Sequence, residues 1–288
     1  MGKGLLVLLT FGFLATALAV PARQSASSVP FAPFEKWRQA VLVGNSTALA
    51  SLYTQTPAPE LSGAGNTPVS LSEELSFWSS WKSNGLIGLT AQIVQQSQPS
   101  PQIHTIVLQL ALTTKQAGAT KKQFVAMAQN WFLQGNDWHL GITRRTAATR
   151  LRQPLENKTI YPEGVDANAE IAETIHSASQ SGKRILVVFG GNWCFDCHVL
   201  DEAFHSPEIA PTLNKSFLVV HVDVGRMDKN LDVAKKYDIP LDRGVPAVAV
   251  LDSNGNLLFS QKSGEFEAAR SMAPEDILAF LNKWRPST

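Results

Sequence analysis

The feature that most constrains the fold is a cysteine pair set between an apolar run and a helical segment. Residues 184–189 are dominated by Ile, Leu and Val, as in a strand buried in a parallel sheet. Gly190-Gly191-Asn192 then loosens the chain before Trp193-Cys194-Phe195-Asp196-Cys197. A cysteine at a helix start faces free backbone N–H groups and the positive end of the helix dipole, so the Cys194 thiol ionises more readily. The two-residue spacer brings the Cys197 sulfur close enough to form and break a disulfide.

The region around and after this pair resembles the thioredoxin superfamily. Residues 217–223 supply a further apolar strand, and Val245-Pro246 stands ahead of a third strand at residues 247–251. In the superfamily a cis-proline before that strand lies opposite the cysteine pair, and Pro246 matches it. The resemblance implies an α/β thioredoxin-like domain over residues 166–288.

The same resemblance assigns roles to the site residues. Cys194 is the expected nucleophile and Cys197 the resolving thiol, and the two form a Cys194–Cys197 disulfide in the oxidised protein. The activity implied is that of a thiol-disulfide oxidoreductase, which needs no metal and no cofactor. Its partners are protein thiols and disulfides and an unidentified redox partner. The residues expected to support the pair or bind substrate are Trp193, Phe195, Asp196, Val245 and Pro246.

Two departures from the classical thioredoxin pattern affect the proton chemistry. Phe195-Asp196 replaces the usual Gly-Pro between the cysteines, and Val188 stands where classical members bury an aspartate. That carboxylate is the usual proton acceptor for the second thiol. In this chain Asp196 or water has to assist Cys197, while the Asp196 charge opposes a thiolate beside it.

Four alternatives use the same residues. The run from Cys194 to His198 fits covalent haem attachment, but a c-type haem domain is a small helical fold without the strands seen here. A zinc site would need Cys194, Cys197, His198 and His205 together. A purely structural disulfide across two residues constrains the unfolded chain very little. The fourth alternative is a non-catalytic module that binds partners, with the N-terminal domain as the dimerisation or ligand-binding unit.

The first nineteen residues have the pattern of a signal peptide. Lys3 precedes the apolar residues 5–20, which end in Ala17-Leu18-Ala19, a small-x-small cleavage pattern. The stretch is too short for a stable membrane span, which needs ~20 residues. We therefore expect export to a periplasm or to the exterior after cleavage near Ala19, with no stable membrane insertion afterwards.

The rest of the chain divides into a tether and two domains. Residues 20–33 are rich in Ser, Ala and Pro and are expected to be a linker, and residues 150–165, broken by Pro154 and Pro162, form a second one. A formal charge of +1 gives no field that would gather nucleic acid, so none is expected as a partner.

Between the linkers, residues 34–149 predict helices followed by an antiparallel sheet. Helical spacing runs from Phe34 to Leu42, and Leu49 and Leu52-Tyr53 indicate a second short helix. A third helix carries Leu75, Trp78 and Trp81, with Ser72 as its candidate cap. Residues 55–68 are predicted to form a loop. Strands are predicted at residues 87–94, 103–112, 123–132 and 138–143.

This order resembles the SnoaL-like superfamily, the nuclear-transport-factor-two type of α+β cone. Residues 37–41, Gly44-Asn45 and the closing Trp138 strand are similar to it. The resemblance implies a curved sheet wrapped around helices and a possible homodimer, but no chemistry. His104 and His139 lie on strands and are expected to be structural rather than catalytic.

Overall fold

The computed structural model describes residues 31–154 and 158–287, and it contains two separate sheets. The predicted signal peptide and nearly all of the first linker lie outside the described residues. The elements of the first half are α1 (Ala32–Val43), α2 (Ser46–Ser51), β1 (Glu60–Ser62), α3 (Leu71–Ser83), β2 (Leu86–Ser100), β3 (Ile103–Gln116), β4 (Ala119–Gln134) and β5 (Asp137–Arg145).

The first sheet has the strand order β1-β5-β4-β3-β2, in which β2 to β5 form an antiparallel meander. Irregular register within β2 and between β4 and β5 curves the sheet, as bulges do. The helices pack into the curve, where Trp37, Trp78 and Trp131 are fully buried. The predicted α+β cone is therefore confirmed, with strands longer than the sequence indicated.

Three details of the cone differ from the sequence prediction. Strand β1, which pairs in parallel with β5, lies inside the segment predicted to be loop. Ser70 rather than Ser72 caps α3, because its hydroxyl accepts the Glu73 N–H while the Glu73 carboxylate accepts the Ser70 N–H. Helix α1 begins two residues before Phe34, and Phe31 ahead of it stacks on the His104 ring.

A buried ion pair ties α3 to the last strand of the cone. The Glu74 carboxylate is fully buried and accepts hydrogen bonds from Arg145 Nε at 2.8 Å and Trp78 Nε1 at 2.6 Å. The Arg145 guanidinium also lies 3.5 Å from the centre of the Phe77 ring. Both oxygens of the carboxylate are thus satisfied inside the core.

The second half is a mixed sheet covered by helices on both faces. Its strand order is β7-β6-β8-β9, with β6 parallel to β7 and antiparallel to β8. Strands β6 and β8 are almost wholly buried, as the apolar runs predicted. The elements are α4 (Ala167–Ser181), β6 (Arg184–Gly190), α5 (Phe195–Phe204), α6 (Ala210–Ser216), β7 (Phe217–Asp223), α7 (Leu231–Lys236), β8 (Ala247–Leu251), β9 (Leu257–Ser260) and α8 (Pro274–Trp284).

Described residues on both sides of positions 155–157, within the segment predicted as the second linker, are packed against the rest of the chain. Leu151 is buried in the core of the second half, and the Gln153 carbonyl accepts a hydrogen bond from the Gln109 side chain of the cone at 2.8 Å. Arg150 pairs with Glu275 of α8 at 2.8 Å, and Tyr161 is fully buried. The described residues of the connection therefore contribute side chains to the core of the second half and a backbone hydrogen bond to the cone.

Among the described residues, no helix combines the length and apolar character that crossing a membrane requires.

Candidate functional site

The cysteine pair lies where β6 ends and α5 begins. Cys194 is the extended N-cap residue of α5, and Cys197 occupies its first turn. The two sulfurs form a disulfide, and the Cys197 N–H donates to Cys194 Sγ across 3.1 Å. The Cys194 sulfur therefore faces the amide end of a ten-residue helix, the position that stabilises a thiolate after reduction.

The predicted proline lies beside the pair. The Val245–Pro246 peptide bond is cis, and the Val245 carbonyl oxygen is 3.5 Å from Cys194 Sγ. Strand β8 runs directly from this bond and pairs with β6, so the two predicted halves of the site meet at the same end of the sheet. The backbone before Pro246 therefore lies directly beside the Cys194 sulfur.

Two aromatic side chains flank the pair at the surface. Trp193 is 43% exposed and Phe195 is 41% exposed, which is unusual for side chains of this size in an otherwise buried region. The Arg226 guanidinium lies 5.1 Å from the Trp193 ring centre, and that of Arg270 lies 5.0 Å from the Phe195 ring centre. This apolar rim with cationic edges is suited to contact with another protein.

Asp196 is not free to act on the sulfurs in the way the sequence suggested. Its buried carboxylate accepts the Arg270 backbone N–H at 2.8 Å and both Nε and Nη2 of the Arg270 guanidinium. The hydrogen bond that the Arg270 guanidinium donates to Asp196 in turn raises the pKa of Arg270. The negative charge that was expected to oppose a Cys194 thiolate is therefore offset by a cation.

Asn192 organises the backbone around the pair, a role that the sequence did not reveal. Its side-chain oxygen accepts the N–H groups of Ile160 and Tyr161, both at 2.9 Å, and its amide nitrogen donates to the Tyr161 carbonyl at 3.0 Å. The His198 ring nitrogen Nε2 lies 2.8 Å from the Asn192 carbonyl oxygen. These bonds fix the chain before α4 against the loop that carries Cys194.

Gly190 and Gly191 are required for packing rather than for a loose backbone, which corrects the sequence reading. A Cβ on Gly190 would lie 2.3 Å from the Tyr161 hydroxyl oxygen and 2.7 Å from Cys197 Sγ. A Cβ on Gly191 would lie 2.6 Å from Trp193 Nε1. No sequence pattern links Gly190 to Tyr161, since they are distant in the chain.

Val188 lies in the core on the face of β6 covered by α5, among Val199 and Leu200. The place of the classical buried aspartate is therefore apolar here. Asp201 lies further along α5, with one carboxylate oxygen 3.9 Å from His221 Nε2. Burial is the main reason that the pKa of His221 is lowered.

The haem and zinc alternatives find little support in this geometry. The pair follows a central strand of a mixed sheet, whereas a c-type haem domain is helical, and the His198 ring already contacts the Asn192 carbonyl. In residues 31–154 and 158–287, no group of three or more His, Cys, Asp or Glu side chains is placed to hold a metal ion. The two histidines of the cone lie on β3 and β5, in the other half of the chain. Burial lowers the pKa of His104, and His139 borders an open cavity of about 750 Å³.

Comparison with known proteins gives a family match in the second half of the chain. A family model described as thioredoxin-like matches residues 166–253. Over 44% of this chain and 98% of the other, the sequence is 35% identical to the disulphide isomerase from Xylella fastidiosa Temecula1, with a TM-score of 0.42.

The first half is similar to solved structures at lower identity. An NTF2-like protein of unknown function in nutrient uptake from Rhodospirillum rubrum ATCC 11170 is 15% identical, with 40% of this chain and 93% of that chain covered and a TM-score of 0.34. A ketosteroid isomerase-like protein from Erwinia carotovora atroseptica SCRI1043 is also 15% identical, with 40% and 90% covered and a TM-score of 0.34. No curated protein sequence matches the chain.

Proposed function

Since the C-terminal half of the chain belongs to the thioredoxin-like family, we propose that the protein is an exported thiol-disulfide oxidoreductase that exchanges disulfides with protein substrates. The observation that carries the proposal is the position of Cys194 Sγ. It lies between the Cys197 N–H and the carbonyl that precedes Pro246, at the start of a helix. This position combines an activated sulfur with a backbone edge that can receive a peptide.

The reaction proceeds by two exchanges. The Cys194 thiolate attacks a substrate disulfide, forms a mixed disulfide and releases one substrate thiolate. The Cys197 thiolate then attacks Cys194 Sγ, releases the second substrate thiolate and closes the Cys194–Cys197 disulfide. The substrate gains two electrons and the cysteine pair loses two, and the released thiolates take up the protons. The reverse sequence oxidises a dithiol substrate.

The surroundings of the pair supply substrate contact and charge balance. Exposed Trp193 and Phe195 provide the apolar contact surface, and Arg270 neutralises Asp196 next to the developing thiolate. The proposal of protein substrates rests on this rim, because a small disulfide would not need two large exposed aromatic side chains.

The test uses the fact that the chain has only two cysteines. Full-length protein should reduce insulin with dithiothreitol as electron source, and Cys194→Ser should abolish that activity. Cys197→Ser should trap a mixed disulfide at Cys194, the one remaining thiol. If the wild type accelerates the reaction no more than Cys194→Ser does, the protein is a partner-binding module and not an oxidoreductase.

The direction of the reaction is measurable from the same pair. A potential near the thioredoxin value of about −270 mV indicates a reductase, and one near −120 mV indicates an oxidase. Export is tested by N-terminal sequencing of protein recovered outside the cytoplasm. The cleavage pattern ending at Ala19 predicts a mature chain that begins at Val20, and recovery of an intact Met1 terminus would contradict this.

A further inference from the structure

Tyr161 is brought to the cysteine pair by the segment that connects the two halves of the chain. The Asn192 side chain holds the backbone of residues 160 and 161 through three hydrogen bonds of 2.9 to 3.0 Å. As a result, the fully buried Tyr161 side chain belongs to the same core cluster as Cys194 and Cys197. Tyr161 is therefore distant from the cysteine pair in the sequence but belongs to the same site in the folded chain.

The Tyr161 hydroxyl and the Cys197 sulfur approach the same point. Both atoms lie within 3 Å of the position that a Cβ on Gly190 would occupy, at 2.3 Å and 2.7 Å. The two atoms are therefore no more than about 5 Å apart, with no side chain of Gly190 between them. A methyl group at this position would collide with both.

The hydroxyl is an unused hydrogen-bond donor. Although Tyr161 is fully buried, its oxygen has no hydrogen-bond partner among residues 31–154 and 158–287. A buried hydroxyl without a partner is costly, and a role in another redox state is one of the explanations for keeping such a group in a native protein. Burial is the main reason that the pKa of Tyr161 is raised, with smaller contributions from Asp201 and Asp223, so the group stays protonated and can donate.

Other polar groups near Cys197 already have partners. Asp196 is bonded to Arg270, and the His198 ring contacts the Asn192 carbonyl. Val188 fills the place of the classical carboxylate with an apolar side chain. Unlike these groups, the Tyr161 hydroxyl has no hydrogen-bond partner in the described part of the chain.

We propose that the Tyr161 hydroxyl donates a hydrogen bond to the Cys197 sulfur once the disulfide is reduced, and so stabilises the resolving thiolate. The inference rests on the proposed function and deepens it. When the disulfide takes up two electrons, the S–S bond breaks and negative charge develops on the sulfurs. The classical site has a carboxylate that accepts the Cys197 proton. This site instead has the Tyr161 hydroxyl, which donates a hydrogen bond to the Cys197 thiolate. The proton itself passes to the leaving substrate thiolate or to solvent.

The experiment compares Tyr161→Phe with Tyr237→Phe in the full-length protein. Tyr237 is a matched control, since it is buried in the same core cluster and its hydroxyl also has no partner among the described residues. The potential of the pair is measured by equilibration with dithiothreitol or glutathione buffers, which requires no protein substrate. Thermal melts followed by circular dichroism serve as the control that each variant is folded.

We expect Tyr161→Phe to lower the equilibrium constant for reduction about tenfold, which makes the two-electron potential about 30 mV more negative. Release of insulin from the Cys194 mixed disulfide should become about threefold slower, because a smaller share of Cys197 is thiolate while each thiolate is more nucleophilic. Tyr237→Phe should change neither quantity.

Two results would overturn the inference. One is a potential for folded Tyr161→Phe equal to that of the wild type, and the other is an equal shift in Tyr237→Phe, which would assign the effect to the core as a whole. Both outcomes leave insulin reduction by the wild type intact. A wild type that equilibrates with the buffers but never reduces insulin would refute the proposed function instead, while the potential shift still decides the role of Tyr161.

Discussion

Removing the Arg270 guanidinium would isolate the effect of a buried carboxylate next to the cysteine pair. The Asp196 side chain is only 9% exposed, while that of Arg270 is 54% exposed. In Arg270→Met the carboxylate loses the bonds from Nε and Nη2 and keeps the one from the backbone N–H. The perturbation therefore leaves a nearly buried charge with a single donor.

The magnitude follows from these contacts. Hydrogen bonds to a charged group each contribute about 1.5–3 kcal/mol, and stripping a fully buried ion of its partner costs about 3–5 kcal/mol. Because half of the arginine side chain is in solvent, screening places the loss near the lower limit. We expect Arg270→Met to reduce the free energy of unfolding of the C-terminal half by about 1.5 kcal/mol. Asp196→Asn in the same background should recover most of that loss.

The assay is urea unfolding of the oxidised protein, followed by tryptophan fluorescence. The transition of the C-terminal half is recognised as the one that Arg145→Met, a substitution in the cone, does not move. Arg285→Met is the control, because Arg285 is exposed after α8 and forms no ion pair with any of the described residues. The reasoning fails if Arg270→Met is as stable as Arg285→Met, or if Asp196→Asn adds to the loss.

Three further predictions concern the buried ion pair, a helix cap and the pH dependence of stability. Arg145→Met should cost the cone about 3 kcal/mol in urea unfolding, because the Glu74 carboxylate is left buried without its cation. Ser70→Ala should cost about 1 kcal/mol, while Ser72→Ala should cost less than about 0.5 kcal/mol; equal losses in thermal melts would contradict the capping assignment. Burial lowers the pKa of His221 below its usual 6.5, so the unfolded state binds the proton first as the pH falls. Its contribution to stability is complete above pH 6.5 and declines below it, by at most about 1.4 kcal/mol per pH unit. His221→Gln should flatten that decline, and an unchanged slope would refute the assignment.

The parts of the site that could be predicted from the sequence are those that local pattern determines. The apolar run of β6, the cysteine spacing and the helix that follows occupy one continuous segment, and their order restricts the position of the sulfurs. Pro246 was predicted because the family resemblance gives its position relative to a strand. The cone was predicted from the change of helical to alternating periodicity after α3.

The parts that could not be predicted depend on contacts between distant residues. Arg270 is 74 positions from Asp196, and no periodicity connects them. A glutamate side chain is normally exposed, but Glu74 lies on the buried face of α3 with Trp78 and Trp81, and only the fold brings Arg145 to it. Strand β1 has three residues, too few to show alternation, and it forms because β5 offers a free edge.

The close approach over Gly190 also constrains how such chains can change during evolution. Residues 161 and 190 cannot vary independently, since any side chain on residue 190 takes the space of the tyrosine hydroxyl. In related two-domain sequences we expect an aromatic hydroxyl before the α4 helix only where residue 190 is glycine, and a larger residue at position 190 only where position 161 is smaller and the second cysteine is also replaced. A pair of positions in a connecting segment and a core strand should therefore covary as strongly as two neighbours in one sheet.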